Sequence, residues 1–293
     1  MNTVWSDSIQ GIGTLDTSRS LRFDDRFADK YRQAFGIADS SRILEIGCGT
    51  GALARSLCRW YPSCSVTGID RDSAFVDYAR DNSKTYTNLG FVCGDALALP
   101  FESGAFNVTI SNTVSEHIEP SGFYGEQYRV LREGGVCIML SARRGINHTA
   151  KCIAERGEFE RELLGRTEKR FEEVDKANGV AKYGMTEAEH PAAMERYGFH
   201  DVTVDYLTIS LTPDDPRFSR DEAYAMINSC RRCDLDCADI MANIASDLVS
   251  ADELNEFRRI INAQYDERLR LYDAGVKQWD TRTSVTMVVR GVK

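Results

Sequence analysis

The chain has 293 residues, a formal net charge of −9 and 42% hydrophobic residues, which suits one large globular α/β domain with insertions. No segment approaches the roughly 18 apolar residues of a membrane span, and the first residues lack the basic and apolar regions of a signal peptide, so a cytoplasmic protein is expected. The acidic balance disfavours a nucleic-acid partner, and nine scattered cysteines favour reduced thiols over a disulfide framework.

The first forty residues carry aromatic residues at helical spacing. Phe27, Tyr31 and Phe35 recur every four positions, which predicts one face of a helix. That face either packs on the core or covers a ligand site.

From residue 42 onward, apolar runs alternate with helix-like segments. The runs are 43–46, 65–69, 89–93, 106–111 and 135–141, and the helix-like segments among them are 51–61, 72–83 and 120–132. Such alternation predicts parallel strands covered by helices on both faces. Gly134 and Gly135 are expected to end the last of these helices.

The alternation stops after the fifth strand. Helix-like segments at 151–178 and 187–197, a sixth strand at 201–210, two long helical patterns at 219–249 and 251–275, and a β-branched seventh strand at 281–290 follow in turn. The two long helices are expected to form an antiparallel hairpin.

The segment 43–53 reads Ile-Leu-Glu-Ile-Gly-Cys-Gly-Thr-Gly-Ala-Leu, an apolar strand that enters a glycine-rich turn and then a helix. Gly47, Gly49 and Gly51 suit a tight turn, because glycine lets a ligand lie against bare backbone. Dinucleotide folds favour G-x-G-x-x-G, in which pyrophosphate takes the helix N-terminus. Here the spacing is G-x-G-x-G after the acidic Glu45, which favours a ligand without phosphate.

Polar residues end three further strands, at the edge where a ligand crossing the sheet would lie. Asp70 ends the second strand and suits the two hydroxyls of a ribose, although it also suits the cap of the next helix. Asp95 and the backbone of Ala96 end the third strand and suit the amine and ring nitrogen of adenine, and Asn112 ends the fourth strand. The order of these residues indicates a cofactor site more strongly than any one of them.

Together these motifs resemble class I S-adenosylmethionine-dependent methyltransferases, in the group that includes small-molecule and quinone-biosynthesis enzymes. The resemblance covers 41–142 closely, and 187–210 and 281–291 in topology. It implies an α/β fold with a Rossmann-like sheet of seven strands, the last antiparallel, and S-adenosylmethionine as the cofactor, with S-adenosylhomocysteine as its product. The residues that match the cofactor site are Glu45, Gly47, Cys48, Gly49, Gly51, Asp70, Arg71, Asp95, Ala96, Leu97 and Asn112.

The resemblance also implies a division of the chain into six segments. They are an N-terminal helical lid at 1–40, the cofactor-binding core at 41–142, a helical insertion at 143–186, a core helix and strand at 187–211, a helical hairpin cap at 212–279 and a terminal strand at 280–293. The insertions are expected to enclose the acceptor pocket, which suits a compact acceptor better than a polymer.

Transfer of a sulfonium methyl group by in-line displacement requires mainly that the acceptor is aligned and kept from water. Acceptors that must lose a proton also need a base. His117 is the first candidate because imidazole titrates near neutral pH, with Glu116 as the second. A loop-stabilising role is the alternative for His117, and Arg19 and Arg22 are candidates to meet the cofactor carboxylate.

Cys230, Cys233 and Cys237 suggest a thiol cluster, but they continue an apolar series at intervals of three and four. The series is Met226, Cys230, Cys233, Cys237, Ile240, Ile244 and Leu248. This pattern is typical of the buried face of an amphipathic helix, so the cysteines are expected to pack as small apolar residues and no metal site is predicted.

The function predicted from the sequence is methyl transfer to a small-molecule acceptor. The alternatives are an RNA or protein methyltransferase, a nicotinamide-dependent dehydrogenase, which the glycine spacing disfavours, and a protein that binds the cofactor without catalysis. No membrane partner is expected, and the oligomeric state is open, with a homodimer among the options.

Overall fold

The computed structural model describes residues 5–293, which form a seven-stranded sheet flanked by helices. The strands, numbered β1 to β7 in chain order, are Arg42–Ile46, Ser65–Asp70, Leu89–Cys93, Phe106–Asn112, Leu131–His148, His200–Leu211 and Thr281–Val292. Their order across the sheet is β3-β2-β1-β4-β5-β7-β6. The first five strands pair in parallel, whereas β7 runs antiparallel to β5 and β6. The predicted Rossmann-like sheet with an antiparallel last strand is confirmed.

The described part of the chain has eleven α-helices, numbered α1 to α11. They are Trp5–Ser8, Ile12–Arg22, Ala28–Phe35, Ala52–Trp60, Ser73–Asp81, Pro120–Val130, Lys151–Ala154, Glu158–Ala177, Glu189–Arg196, Arg220–Ile244 and Ala251–Asp273. None of these helices has the length and apolar character that spanning a bilayer needs. Residues 1–4 of the predicted lid lie outside the described residues.

The centre of the sheet is buried on both faces. Ile43 of β1 packs with α3 and α4 on one face, and Leu44 packs with α6 and α9 on the other. Apolar residues on both faces are expected of a parallel strand covered by helices. The strand order reverses at β1, which lies between β2 and β4, and in such sheets ligands bind in the crevice at the carboxyl ends of these strands.

The predicted aromatic helix face packs on the core and does not cover the crevice. Tyr31 and Phe35 of α3 are buried, and the Tyr31 ring stacks on Trp60 of α4 with ring centroids 5.0 Å apart. The N-terminal helices that reach the crevice are α1 and α2.

The glycine pair at 134–135 does not end a helix, which corrects the prediction. α6 ends at Val130, and the following residues already belong to β5, which extends well beyond the predicted 135–141. Gly134 has φ of +69° and donates its N–H to the carbonyl oxygen of Lys293 at 3.0 Å. The glycines therefore serve a turn inside the sheet.

Three helices after β5, namely α8, α10 and α11, pack on one another, and we call them the cap. α10 and α11 lie antiparallel, as predicted, with ion pairs from Arg220 to Asp273 at 3.0 Å and from Arg258 to Asp239 at 2.9 Å near opposite ends. Leu163 of α8 joins the apolar cluster between them. The division of the chain into six domains and segments remains a prediction.

Candidate functional site

A cavity of about 840 Å³ lies at the carboxyl ends of β1, β2 and β4, and we call it the first cavity. Its volume falls within the roughly 300–1,000 Å³ of ligand pockets. The predicted residues that line it are Glu45, Gly47, Cys48, Gly49, Asp70, Arg71, Asp95, Ala96, Leu97, Asn112 and His117. Folding thus brings most of the predicted site together, from four strand ends that are distant in sequence.

The glycine turn after β1 has the backbone that only glycine adopts easily. Gly47, Gly49 and Gly51 have φ of +68°, +51° and +77°. A side chain at Gly47 would overlap Val114, and one at Gly49 would lie 2.9 Å from Leu15. Gly51 does not line the first cavity, and a side chain there would lie 2.7 Å from the ring of Phe91 in β3, so its contact with the cofactor stays a prediction.

Glu45 is a buried carboxyl group in the wall of the first cavity, only 2% exposed. Its Oε2 has no hydrogen-bond partner within residues 5–293. Burial raises the pKa of Glu45 well above its ordinary value, and the nearby Asp70 raises it further. Since a bound cation stabilises the charged carboxylate, Glu45 fits an ammonium group.

Asp70 ends β2 with each carboxylate oxygen held by one backbone N–H. Oδ2 accepts from Gly49 at 2.8 Å and Oδ1 from Asp72 at 2.9 Å. Burial raises the pKa of Asp70, and these two hydrogen bonds oppose that shift. The cap of α5 is Asp72, whose Oδ1 accepts from Ala74 at 3.0 Å, so the capping alternative for Asp70 is wrong. Each Asp70 oxygen keeps a lone pair for a ligand hydroxyl.

Asp95, Ala96 and Leu97 form the wall of the first cavity after β3. The Asp95 Oδ1 accepts the N–H of Leu97 at 2.9 Å, which holds the turn in shape. Leu97 is 43% exposed, and its apolar side chain suits the face of a bound ring. Arg71 lies over the Trp5 ring, 5.4 Å from its centroid.

Arg19 brings a positive charge from α2 into the first cavity. The Arg19 Nη2 donates to Thr113 Oγ1 at 2.9 Å. Arg19 forms no ion pair within residues 5–293. Burial lowers the pKa of Arg19 to about 10, and the neighbouring Arg22 contributes to the shift. Arg19 and Arg22 are both predicted candidates to meet the cofactor carboxylate. Arg19 lines the first cavity, whereas Arg22 lines a different cavity.

His117 is held by its neighbours in a way that conflicts with a base role. Its Nδ1 accepts the backbone N–H of Ala181 at 3.0 Å, so in the neutral ring the proton is on Nε2, which then acts as a donor. Burial lowers the pKa of His117, which favours that neutral form. Glu116 does not line the first cavity, and its carbonyl oxygen accepts the N–H of Tyr183 at 2.8 Å. Both residues therefore anchor the loop at 178–183, and neither is proposed as the base.

Sequence reasoning missed two walls of the first cavity, the loop at 178–183 and the inner face of α10. Asp236 of α10 is 4% exposed and forms an ion pair with Arg232. Cys233 and Cys237 line the cavity beside it and are half-buried. Cys230 and Cys237 pack against the apolar cluster of α8, α10 and α11, as predicted, although none of the three cysteines is fully buried. The signal in the sequence that could have indicated this wall is the acidic Asp236, which lies between Cys233 and Cys237 of the apolar series.

The chain resembles proteins of known activity. Residues 44–139 match the family model described as a methyltransferase domain. The chain is 32% identical over 104 residues to a sterol 24-C-methyltransferase of Debaryomyces hansenii, covering 34% of this chain and 27% of that one. It is 30% identical over 186 residues to a malonyl-[acyl-carrier protein] O-methyltransferase of Geobacter sulfurreducens, covering 62% of this chain and 64% of that one. The chain thus spans between about a quarter and two thirds of the length of these relatives.

A solved structure shares the fold. Phosphoethanolamine N-methyltransferase 2 of Haemonchus contortus, in complex with S-adenosyl-L-methionine, matches with a TM-score of 0.55 and 16% sequence identity. The match covers 99% of this chain and 59% of that chain. At this identity the likeness concerns the fold alone.

Proposed function

We propose that this protein, whose residues 44–139 form a class I S-adenosylmethionine-dependent methyltransferase domain, methylates a small molecule enclosed in the first cavity. One observation carries the proposal. The first cavity combines the row of strand-end residues that suit the cofactor with a cover formed by α2, α10 and the loop at 178–183.

The charged groups around the glycine turn fit the amino-acid end of the cofactor. Glu45, a buried carboxyl without a partner on Oε2, suits the ammonium group, and Arg19 suits the carboxylate. Gly47 and Gly49 line the first cavity as well. This pairing of one acid with one base supports a zwitterionic ligand at this end.

The nucleoside end fits the residues that follow β2 and β3. Asp70 has lone pairs for two ribose hydroxyls. Asp95 and the backbone of Ala96 suit the adenine edge, while Leu97 and Ile69 supply apolar surface for its face. Cys48 and Asn112 complete the wall between the two ends.

When bound, the cofactor supplies an electrophilic methyl group on a positively charged sulfur. The residues of this chain then contribute alignment of the acceptor and exclusion of water. α2 is held over the sheet by Asp16, whose Oδ1 accepts from Arg55 of α4 at 2.5 Å and whose Oδ2 accepts from Tyr78 of α5 at 3.1 Å. The enclosure that results favours a compact acceptor over a polymer.

A cytoplasmic location belongs to the same proposal. All nine cysteines lie within residues 5–293 and all are free thiols. Four of them, Cys48, Cys58, Cys64 and Cys137, are buried. Free thiols in this number suit a reducing compartment.

Asp70→Ala tests the cofactor site. We expect its affinity for S-adenosylmethionine to fall by about tenfold or more, because two hydroxyl acceptors are lost. Isothermal titration measures the affinity, and circular dichroism checks the fold. Asp77→Ala is the matched control, since Asp77 lies on the exposed surface of α5 and pairs with Arg80. Unchanged affinity in a folded Asp70→Ala protein would remove Asp70 from the site.

The acceptor class is tested with isotopically labelled cofactor and a cell metabolite extract. Methyl transfer to a compound of low mass supports the proposal. Label found only in RNA or protein would contradict it, and cofactor binding without any turnover would instead indicate a binding protein without catalysis.

A further inference from the structure

A second cavity, of about 660 Å³, lies beside the first, between the extended arms of β5 and β7 and the helices α2, α10 and α11. The helices α2 and α10 each contribute residues to both cavities. α2 places Arg19 in the first cavity and Arg22 in the second, and α10 places Cys233 in the first and Cys230 in the second.

The second cavity is positively charged in a chain whose net charge is −9. The charged residues that line it are Arg22, Arg143, Arg156, Arg282, Asp234 and Asp280. Both aspartates already have partners, since Asp234 accepts from the hydroxyl of Tyr265 at 2.7 Å and Asp280 pairs with Arg268 at 2.6 Å. Two aspartates face four arginines in this wall, so a net positive charge remains there.

Arg22 and Arg282 are the two arginines of this wall that lie near each other without an acidic partner. Neither forms an ion pair within the described residues, whereas Arg143 pairs with Glu187 at 3.3 Å. Burial lowers the pKa of Arg22, and the charge of Arg282 lowers it further. Two guanidinium groups held together in this way repel each other, and an anion between them removes the repulsion.

A contact between Arg282 and Cys233 marks the boundary of the two cavities. The Arg282 guanidinium interacts with the thiol of Cys233, which itself lines the first cavity. A ligand bound to Arg282 is therefore separated from the first cavity by the side chain of Cys233. The rest of such a ligand extends toward the site that we assign to the cofactor.

We propose that Arg22 and Arg282 bind an anionic group, carboxylate or phosphate, at the end of the acceptor that is not methylated. This inference rests on the proposed function, because it takes the first cavity as the place of methyl transfer. The acceptor is then a molecule with two ends, an anion held in the second cavity and a methylated atom held in the first. The two arginines select the acceptor by its charge.

The inference is tested by titration calorimetry in saturating S-adenosylhomocysteine with three probes of equal chain length. The probes are hexanoate, hexyl phosphate and neutral hexan-1-ol. We expect at least one anion to bind about tenfold more tightly than the alcohol, and the stronger of the two identifies carboxylate or phosphate as the ligand group. Equal binding of all three probes would overturn the inference.

Variants of the two arginines complete the test. The double variant Arg22→Gln with Arg282→Gln should lose about tenfold in affinity for the preferred anion, whereas Arg22→Lys with Arg282→Lys should retain part of it. Arg220→Gln is the matched control, because Arg220 lies on α10, pairs with Asp273 and lines neither cavity. If the Gln variant binds the anion as well as the wild-type protein, the assignment is wrong.

S-adenosylhomocysteine affinity, measured for every variant, separates this inference from the proposed function. We expect it to be unchanged in the arginine variants, which also shows that they fold. If the wild-type protein binds the anion but not S-adenosylhomocysteine, the proposed function is contradicted, whereas the assignment of the anion site is supported.

Discussion

His117 follows β4 and lies at the edge of the first cavity, with its ring 5.0 Å from that of Trp5. Its residue type and position predict a base, yet its hydrogen bond to Ala181 occupies the nitrogen that would accept a proton. A single contact from a residue 64 positions away thus decides its chemistry.

His117→Ala and His117→Asn distinguish an anchoring role from a base role. We expect His117→Asn to keep most of the activity, because its side-chain oxygen can accept the Ala181 N–H, while His117→Ala raises KM for the acceptor and hydrogen exchange in the loop at 178–183. Neither variant should change the pH profile of kcat. A loss of about 100-fold or more in kcat in both would show a base role instead.

At the scale of elements, α2 and α9 are positioned by close packing on their neighbours. α2 packs on α10 through Gly13 and through its N-cap Gly11, where a side chain would meet Arg232 and Asp236 respectively. α9 packs on the sheet through Met194 and through His190, which is 1% exposed and has no partner on Nδ1 within residues 5–293.

His190 makes the docking of α9 sensitive to acid. Burial lowers its pKa to about 4, and the positive Arg143 adds to the shift. Because the unfolded chain binds this proton near pH 6.5 and the folded chain only near pH 4, the contribution to stability is complete above pH 6.5 and is lost as the pH falls toward about 4.

His190→Gln should therefore reduce the loss of stability between about pH 6.5 and 4. Urea unfolding of both proteins across this range gives the difference in unfolding free energy at each pH. His200→Gln is the control, since His200 is exposed at the start of β6. A difference between wild type and His190→Gln that does not vary with pH would contradict the assignment.

On the scale of the whole molecule, one buried ion cluster joins the cap to the sheet. Arg268 of α11 is fully buried and pairs with Asp214, before α10, and with Asp280, before β7, at 3.0 and 2.6 Å. Asp214 also accepts the backbone N–H groups of Gln278 and Trp279 at 2.7 and 2.8 Å. The two connections of the helical hairpin are thereby held at one point.

Arg268→Met should destabilise the protein by about 3 to 5 kcal/mol, because it leaves the buried Asp214 and the half-buried Asp280 without their counter-charge. Denaturant unfolding measures the loss. Arg259→Met, which removes an exposed pair with Glu256, should leave the midpoint unchanged. A small effect of Arg268→Met would mean that the aspartates find other partners or protonate.

The sequence by itself determined the alternation of strands and helices, the turn at Gly47 and Gly49, and the acids at Asp70 and Asp95. These features are local, because strand periodicity, helix caps and glycine conformations depend on residues close along the chain. The carboxyl ends of parallel strands meet at one edge, so local patterns were enough to place the proposed cofactor residues in one cavity.

Only the tertiary structure decided which side chains meet across distant segments. Gly51 faces Phe91 instead of the cavity, Arg19 and Arg22 face different cavities, and His117 bonds to Ala181. The periodicity of apolar residues in the sequence does not predict these contacts, because they depend on how α2, the loop at 178–183 and α10 pack over the sheet. The physical reason is that burial and pairing, which set charge and hydrogen bonding, are properties of the packed fold.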